Sequence, residues 1–475
     1  MTLPDPIYHH AQTTPQAPAL HRGARVWTYA ELDAAVEGVA RWAEAALPPG
    51  ARVACYQPNG VPLIVWLLGL IRAGCTAVPL STRIPPEQVP AYLDRVEAAA
   101  CLTDAVVADA RVISAALPRA AQPAQVQTWR ADAPTTIIFS SGSTGEPKAL
   151  VHSAGNHYYS ALGSATNIPV QPGHTWGLTL PLYHVGGLAI LFRCFWGGAT
   201  VGLPDAAHDL EASVRSEASW THLSLVPTQL IRLLRAGLHA PLQRYAAILL
   251  GGSAMPSGML REAHAHGLPI HTSYGMTEMS SQIATTPPAA DLDTLHTAGH
   301  VLPHRALRIA DSGEVQVRGE TLCLGRWEDG AVVPLTTADG WYATRDVGEI
   351  DDVGRLRITG RLDRQFISGG ENIQPEQIER AMLQHDGVHE VIVVPVPDAE
   401  FGQRPFAFAR TDTPLSLIAW RRFLDGRLPR FMHPVEVAPW PDEAPSTGLK
   451  WKRDAFQVCA ERLYRSGSTS TRWVD

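Results

Sequence analysis

Cysteine is scarce and dispersed. The six cysteines (Cys55, Cys75, Cys101, Cys194, Cys323 and Cys459) form no Cys-x-x-Cys pair. The sequence therefore suggests neither a disulfide framework nor a zinc site, and a reducing compartment fits. Histidine is plentiful, at 19, yet no His-Glu-x-x-His occurs. His264 and His266, two apart, would face different sides of a helix and suit surface or packing roles. Long hydrophobic runs are also missing: Val61 to Ile71 is too short to span a bilayer and ends at Arg72. The first residues carry Asp5 and early prolines in place of an apolar signal core, so secretion is not expected and a cytoplasmic location is. Basic charge is not in excess. A net charge of −7 is the opposite of a nucleic-acid-binding footprint.

What is present is an ordinary globular composition, 45% hydrophobic and 18% charged, over 475 residues. That length is too great for one core, so two or more domains are expected. Thr28 and Glu31 form a capping box ahead of a helix with apolar Leu32, Val36, Val39 and Ala40. Arg52 to Tyr56 reads as a strand, Val61 to Ala73 as a buried helix ending at Gly74, and Ala77 to Leu80 as a strand. This alternation implies a parallel sheet covered by helices. Residues 105–133, rich in Ala and Pro, read as a weak βα unit and a connector.

Further on, Leu178 to Tyr183 is expected to be a strand leading to His184 and an apolar helix, Leu188 to Trp196. Ser224 to Arg235 reads as strand, Pro227 and amphipathic helix; Ala247 to Leu250 and Pro269 to Ser273 read as strands. From about Thr297 short alternating strands suggest a small antiparallel or barrel-like subdomain. Beyond Arg361 to Arg364, a charged connector, Pro375 suits a helix N1 position, and strands Val388 to Val396 and Pro405 to Arg410 precede a helix Leu417 to Leu424. This describes a compact α+β module. No internal repeat is visible.

Five stretches carry chemistry. In Thr136 to Val151 an apolar strand breaks into Ser140-Ser141-Gly142-Ser143-Thr144-Gly145, followed by Lys148. Glycines let successive N–H groups point into one concavity, hydroxyls add donors, and the Lys adds a point charge suited to phosphate. The spacing is not that of a Walker A loop, and by itself the composition equally describes a surface turn. Tyr274-Gly275-Met276-Thr277-Glu278 offers an aromatic for a purine, a hydroxyl for a phosphate and a carboxylate for Mg2+; in isolation it equally describes a strand-to-helix turn. In Trp341 to Gly348, Asp346 can accept from both ribose hydroxyls. Arg361-Leu362-Asp363 is a charged link between two bodies. Near the end, Gly448-Leu449-Lys450-Trp451-Lys452-Arg453 holds two candidate cations.

Taken together these stretches resemble the adenylate-forming superfamily of acyl- and aryl-CoA ligases, peptide-synthetase adenylation domains and luciferases. The segment 140–148 is similar to its phosphate loop, with Ala149 where Gly is common. Residues 274–278 resemble its Tyr-Gly-x-Thr-Glu signature, and Thr344-Arg345-Asp346 its Thr-Gly-Asp, with Arg345 in place of Gly. Residues 448–453 resemble its closing Gly-Lys-x-x-Arg; aligning on Arg453 favours Lys450 as the catalytic lysine and leaves Lys452 as the competitor. The resemblance covers nearly the whole chain.

The resemblance implies an α/β fold. It would have a large N-terminal domain (1–362) of parallel-sheet subdomains with a small β-barrel-like subdomain, and a smaller mobile α+β C-terminal domain (363–475) carrying the catalytic Lys. It implies ATP and Mg2+ as cofactors and coenzyme A as co-substrate. The nucleotide would be held by Ser140, Ser141, Gly142, Ser143, Thr144, Gly145 and Lys148, by Gly252 and Ser253, and by Tyr274, Gly275 and Met276. Asp346 and Arg361 would serve the ribose and phosphates. Thr277, Glu278 (on Mg2+), His184 and Lys450 are the implied catalytic residues, Asp363 the implied hinge. A carboxylic acid would bind among His184, Gly251, Ser281 and Arg232.

Within the superfamily, segments 180–191, 224–230, 274–282, 343–346, 368–376 and 400–405 resemble the o-succinylbenzoate–CoA ligases of menaquinone biosynthesis. Two other readings stay open: a different aryl- or acyl-CoA ligase, and a stand-alone adenylation enzyme that loads a carrier protein. The expected partners are small molecules; no nucleic acid or membrane span is expected, and a homo-oligomer is compatible with the sequence.

Overall fold

A computed structural model describes residues 1–140, 147–205, 209–441, 446–447, 450–451 and 453–466, with backbone only at 446–447 and 450–451. Two sheets form most of the chain up to residue 333. In the first, Val112–Ile113, Ala100–Leu102, Arg52–Cys55, Thr76–Pro79 and Pro134–Ser140 run parallel. Lys148–Ser153 then turns back antiparallel on Pro134–Ser140, and Gly325–Glu328 pairs beyond it. In the second, Pro18–Arg22, Thr200–Leu203, Thr175–Gly177, His222–Leu225, Ala247–Leu250 and Ile270–Met276 run parallel. Helices cover both sheets, as parallel strands buried on both faces require.

The helix Tyr29–Ala46 starts at the expected capping box. It packs on the helix Val61–Arg72, apolar up to its final arginine, so closely that a Cβ on Gly69 would lie 2.4 Å from the Val39 side chain. Arg72 ends that second helix fully buried among Asp5, Asp33 and Glu37, at 2.8, 2.6 and 3.5 Å.

Two expected elements differ. No helix forms in 105–133: Val112–Ile113 and Thr128–Arg130 are short strands, the latter paired with Thr2–Pro4. Pro118 and Pro123 break the segment, and its alanines offer no wide apolar face to bury. The strand expected at Leu178 to Tyr183 lies earlier, at Thr175–Gly177. Past Gly177 the Asn59 side chain replaces the ladder, donating to Leu180 O at 2.9 Å and accepting from Leu182 N at 3.0 Å. The chain then turns tightly into the helix Val185–Gly197; a Cβ on Gly187 would come within 2.1 Å of Pro181 O.

A four-stranded antiparallel sheet follows: Arg305–Ile309, Glu314–Gly319, Tyr342–Ile350 and Leu356–Arg361. The smaller C-terminal domain has its own sheet. Phe366–Ser368 and Val388–Asp398 flank Gly402–Thr411, with Val437–Pro439 parallel to the last. Pro375–Met382, Leu417–Leu424 and Arg453–Ser466 are its helices, and Pro375 occupies the first turn as the sequence implies.

Candidate active site

In parallel sheets, ligands bind beyond the carboxyl ends of the strands. Gly251, Gly252 and Ser253 follow directly on the strand Ala247–Leu250, and Ser273 on the neighbouring strand donates to Leu250 O at 2.8 Å. That neighbour, Ile270–Met276, carries Tyr274, Gly275 and Met276 at its end. Gly275 is required there: a Cβ would meet Ser281 O at 2.1 Å, because Ser281–Thr285 folds back on it. Thr277 and Glu278 occupy one 3-10 turn between these strands. Ser280 and Ser281 then take left-handed φ of 54° and 115°, conformations that non-glycine residues seldom adopt.

One hydrogen-bonded chain gathers four of the expected residues. Tyr274 Oη donates to Asp346 Oδ2 at 2.6 Å, and Arg361 Nη1 donates to Asp346 Oδ1 at 3.0 Å. The remaining edge of Arg361 donates in a fork to Asp363, at 2.9 and 3.0 Å. Burial and the Asp346 carboxylate push the Tyr274 hydroxyl well above its ordinary range, so it stays a donor. Asp363 is pushed up by burial, but Arg361 more than offsets this and holds it below the usual carboxylate range.

Glu278 joins the same strand as Asp346 through Tyr342, whose hydroxyl donates to Oε1 at 3.2 Å. Burial and the Glu278 charge raise Tyr342 strongly. The Glu278 side chain is half-buried and carboxylate oxygen is a hard ligand, so the residue fits a magnesium ion held jointly with phosphates. No group of three or more His, Cys, Asp or Glu among the described residues could hold a metal alone. Arg345 stands at φ 63°, which explains why glycine suits this position in the resembling pattern.

Lys148 pairs with Ser140 across the hairpin whose intervening segment is the phosphate-loop sequence. The same hairpin reaches the Tyr274 segment through His152, whose Nε2 donates to Thr277 O at 2.7 Å. Burial pulls His152 down to about 4, so the ring is neutral. His184 caps the helix Val185–Gly197, its ring beside Tyr183. Ser281 is held from that helix: Arg193 Nη2 donates to Ser281 Oγ at 3.1 Å and to Gln282 Oε1 at 2.8 Å.

Arg232 is not brought to this group. Its side chain is 64% exposed and lies 3.5 Å from Glu211. Ser141, Gly142, Ser143, Thr144 and Gly145, together with Lys452, lie outside the described residues; Lys450 is described only as a strand partner of Thr447.

Sequence reasoning missed Arg193, Tyr342 and His152. Arg193 had a signal: it is a lone cation inside the apolar run Leu188 to Trp196. It is buried over Trp176, 5.2 Å from the ring, and meets no carboxylate among the described residues; burial lowers it to about 10.

The chain belongs to the AMP-binding enzyme family: that family's model matches residues 7–327, and the AMP-binding enzyme C-terminal domain matches 377–449. It is 35% identical to the 2-succinylbenzoate–CoA ligase of Salmonella typhimurium, over 97% of this chain and 99% of that one. A variant of Escherichia coli MenE with bound OSB-AMS superposes with a TM-score of 0.84 at 31% identity, covering 97% and 98% of the two chains. The o-succinylbenzoate coenzyme A synthetase (MenE) of Bacillus subtilis, in complex with ATP and magnesium ion, superposes at 0.85 with 28% identity, covering 96% and 100%.

Proposed function

We propose that this chain is an AMP-forming acid–thiol ligase that activates 2-succinylbenzoate as its acyl-adenylate and transfers it to coenzyme A, a step of menaquinone biosynthesis. The observation that carries this reading is Arg193. A buried, acid-free guanidinium beside Ser281, at the end of the Tyr274–Glu278 segment, is suited to a second, unreacted carboxylate on the substrate. Near-full-length likeness to known 2-succinylbenzoate–CoA ligases supports it.

In the first half-reaction a substrate carboxylate oxygen attacks the α-phosphorus of ATP, and the bond to the bridging oxygen breaks to release pyrophosphate. Both reactants are anionic, so orientation and fixed donors carry the catalysis. Tyr274 lies against adenine, Asp346 accepts from the ribose and Arg361 fixes Asp346. Ser140, Lys148 and the intervening loop, with Thr277, hold the phosphates. Glu278 holds Mg2+, which neutralises phosphate charge. Lys450 stabilises the charge that develops at the α-phosphate. In the second half-reaction the thiolate of coenzyme A attacks the acyl carbon and AMP leaves.

Residues 1–362 supply nucleotide and acid binding, residues 363–475 move about Asp363, and closure keeps water from the mixed anhydride. His184 and Gly251 line the acid pocket. The cosubstrates point to the cytoplasm; no nucleic acid takes part, and a homo-oligomer is compatible with the scheme. No described helix is long and apolar enough to cross a membrane.

Purified protein with ATP, Mg2+ and a panel of acids, with and without coenzyme A, tests the reading by mass spectrometry. 2-Succinylbenzoyl-CoA and AMP should form while benzoate, salicylate and fatty acids lag far behind. Another acid leading the panel removes the substrate assignment, and adenylate without thioester points to a carrier-protein acceptor.

A further inference from the structure

Where this chain needs a buried guanidinium only to hold the fold, it neutralises it: Arg72 has three carboxylates around it. Two other buried arginines have none among the described residues. Arg193 leaves Nε without an acceptor among the described residues. Arg305, on the strand Arg305–Ile309, is 8% exposed; its Nε donates to Thr321 Oγ1 at 3.4 Å, and neither Nη1 nor Nη2 meets an acceptor. Glu320 lies within electrostatic reach but is exposed and forms no ion pair with it. Leaving a buried cation uncompensated is costly, and such a cost persists where it serves a ligand.

The two arginines are linked through one short segment. Arg305 lies against Gly163 of the helix Ala154–Ser164, where a Cβ would stand 2.5 Å from Nη1. The adjacent Ser164 donates to Gln282 Oε1 at 2.7 Å, the same oxygen that accepts from Arg193. On the other side Ser280 Oγ donates to Thr321 O at 2.9 Å, and Ser160 Oγ of the same helix donates to Ser280 O at 2.7 Å. The left-handed pair Ser280 and Ser281 is therefore held both by the elements that seat Arg305 and by Arg193. Burial, and after it the positive charge of Arg193, pulls Arg305 down to about 9.

We propose that Arg305 is a positioning and specificity-determining residue: linked to Arg193 through Gly163, Ser164 and Gln282 and without a carboxylate of its own among the described residues, it adds positive potential that makes the acid pocket select substrates carrying a second carboxylate. This deepens the function proposed above and rests on its reading of Arg193. A monoanionic acid would leave both cations unanswered once its single carboxylate is committed to the α-phosphate. A dianion answers them.

The test compares 2-succinylbenzoate with 4-oxo-4-phenylbutanoate and 2-butanoylbenzoate, each lacking one carboxylate, in the wild type, Arg305→Met and Arg305→Lys. Arg305→Met should lower kcat/KM for 2-succinylbenzoate roughly 10–100-fold, mainly through KM, and change that of whichever monoacid is still activated less than about 3-fold. Arg305→Lys, which keeps the charge, should restore most of the preference. The ratio between two acids on one preparation does not depend on the folded fraction, so a destabilised variant still reports. Equal loss on both acids would make Arg305 a structural residue and overturn the proposal, as would no loss on either. A wild type that ignores 2-succinylbenzoate but prefers another diacid removes the function proposed above, and the same ratio is then read on that diacid. A wild type that takes only monoacids overturns both.

Discussion

Asp346 is held on both oxygens, by Tyr274 and by Arg361, before any ribose arrives. A carboxylate fixed in this way has little freedom left to lose when two hydroxyls approach it. Asp346→Asn keeps the shape, loses the charge that Arg361 balances and turns one acceptor into a donor. The expected outcome is a rise of roughly 10–100-fold in KM for ATP, with little change in KM for the acid; initial rates with each substrate varied in turn decide it. Equal rises for both would show that Asp346 serves general folding instead. At this scale the sequence was most informative where chemistry is local. Residues 274–278 and Asp346 are recognisable from neighbours in the chain. Arg193 gave only the signal of a lone cation in an apolar run and Arg305 gave none, because what singles both out is the lack of a carboxylate beside them among the described residues.

Between elements, two buried contacts deserve measurement. The phosphate hairpin, the helix Ala154–Ser164 and the helix Val185–Gly197 meet at a stack of His152, His157 and Phe192, with centroids 5.4 and 4.2 Å apart. Burial pulls His152 down to about 4, and burial with the neighbouring His152 pulls His157 well below its ordinary value. Both folded values lie below that of the unfolded chain, about 6.5, so as pH falls the unfolded chain binds protons first. Their contribution to stability is therefore complete above about 6.5 and declines as pH falls below it, that of His152 down toward about 4. The slope is up to about 1.4 kcal/mol per pH unit for each histidine. Urea midpoints between pH 8 and pH 5 should fall accordingly, and His152→Gln should flatten the curve; a flat curve in the wild type would contradict it.

The second contact anchors the helix Arg453–Ser466, which follows directly on the lysine-bearing hairpin. Arg453 forks onto Glu379 at 2.6 and 3.1 Å, and Glu379 also accepts from Val393 N at 2.7 Å. Glu379→Gln should destabilise the C-terminal domain by about 2–3 kcal/mol. That is less than for a fully buried pair, because the Arg453 side chain keeps 22% of its surface. Adenylation should slow with it, since the hairpin loses its fixed end. Differential scanning calorimetry and pyrophosphate release read the two effects; a slowed reaction with unchanged melting would place Glu379 in the chemistry. Legibility also has a limit at this scale. The capping box at Thr28 and the parallel strands follow from local pattern. The strand expected at Leu178 to Tyr183 did not form because Asn59, far away in sequence, supplies the bonds that a ladder would have given.

Across the whole molecule, the ion pairs that reach from the C-terminal domain to the rest are exposed, while Arg380 Nη2 donates to Thr359 O at 2.6 Å and the Gln374 side chain packs on Gly360. Arg261 meets Asp386 at 2.8 Å with both side chains substantially exposed, and Arg235 lies 3.9 Å from Asp412. Exposed pairs of this kind contribute about 0–1 kcal/mol each. The firmer link lies at the connector itself, where Arg361 ties Asp363 to Asp346 and Gln374 Nε2 donates to Arg361 O at 2.8 Å. The movement about Asp363 proposed above would have to break or carry these contacts.

The central claim is that this chain joins 2-succinylbenzoate to AMP before thioester formation, and oxygen transfer tests it most directly. With 2-succinylbenzoate labelled with 18O in its carboxylates, plus ATP, Mg2+ and coenzyme A, the AMP released should carry one labelled oxygen, with pyrophosphate unlabelled. Unlabelled AMP, or ADP and phosphate in its place, would contradict the account.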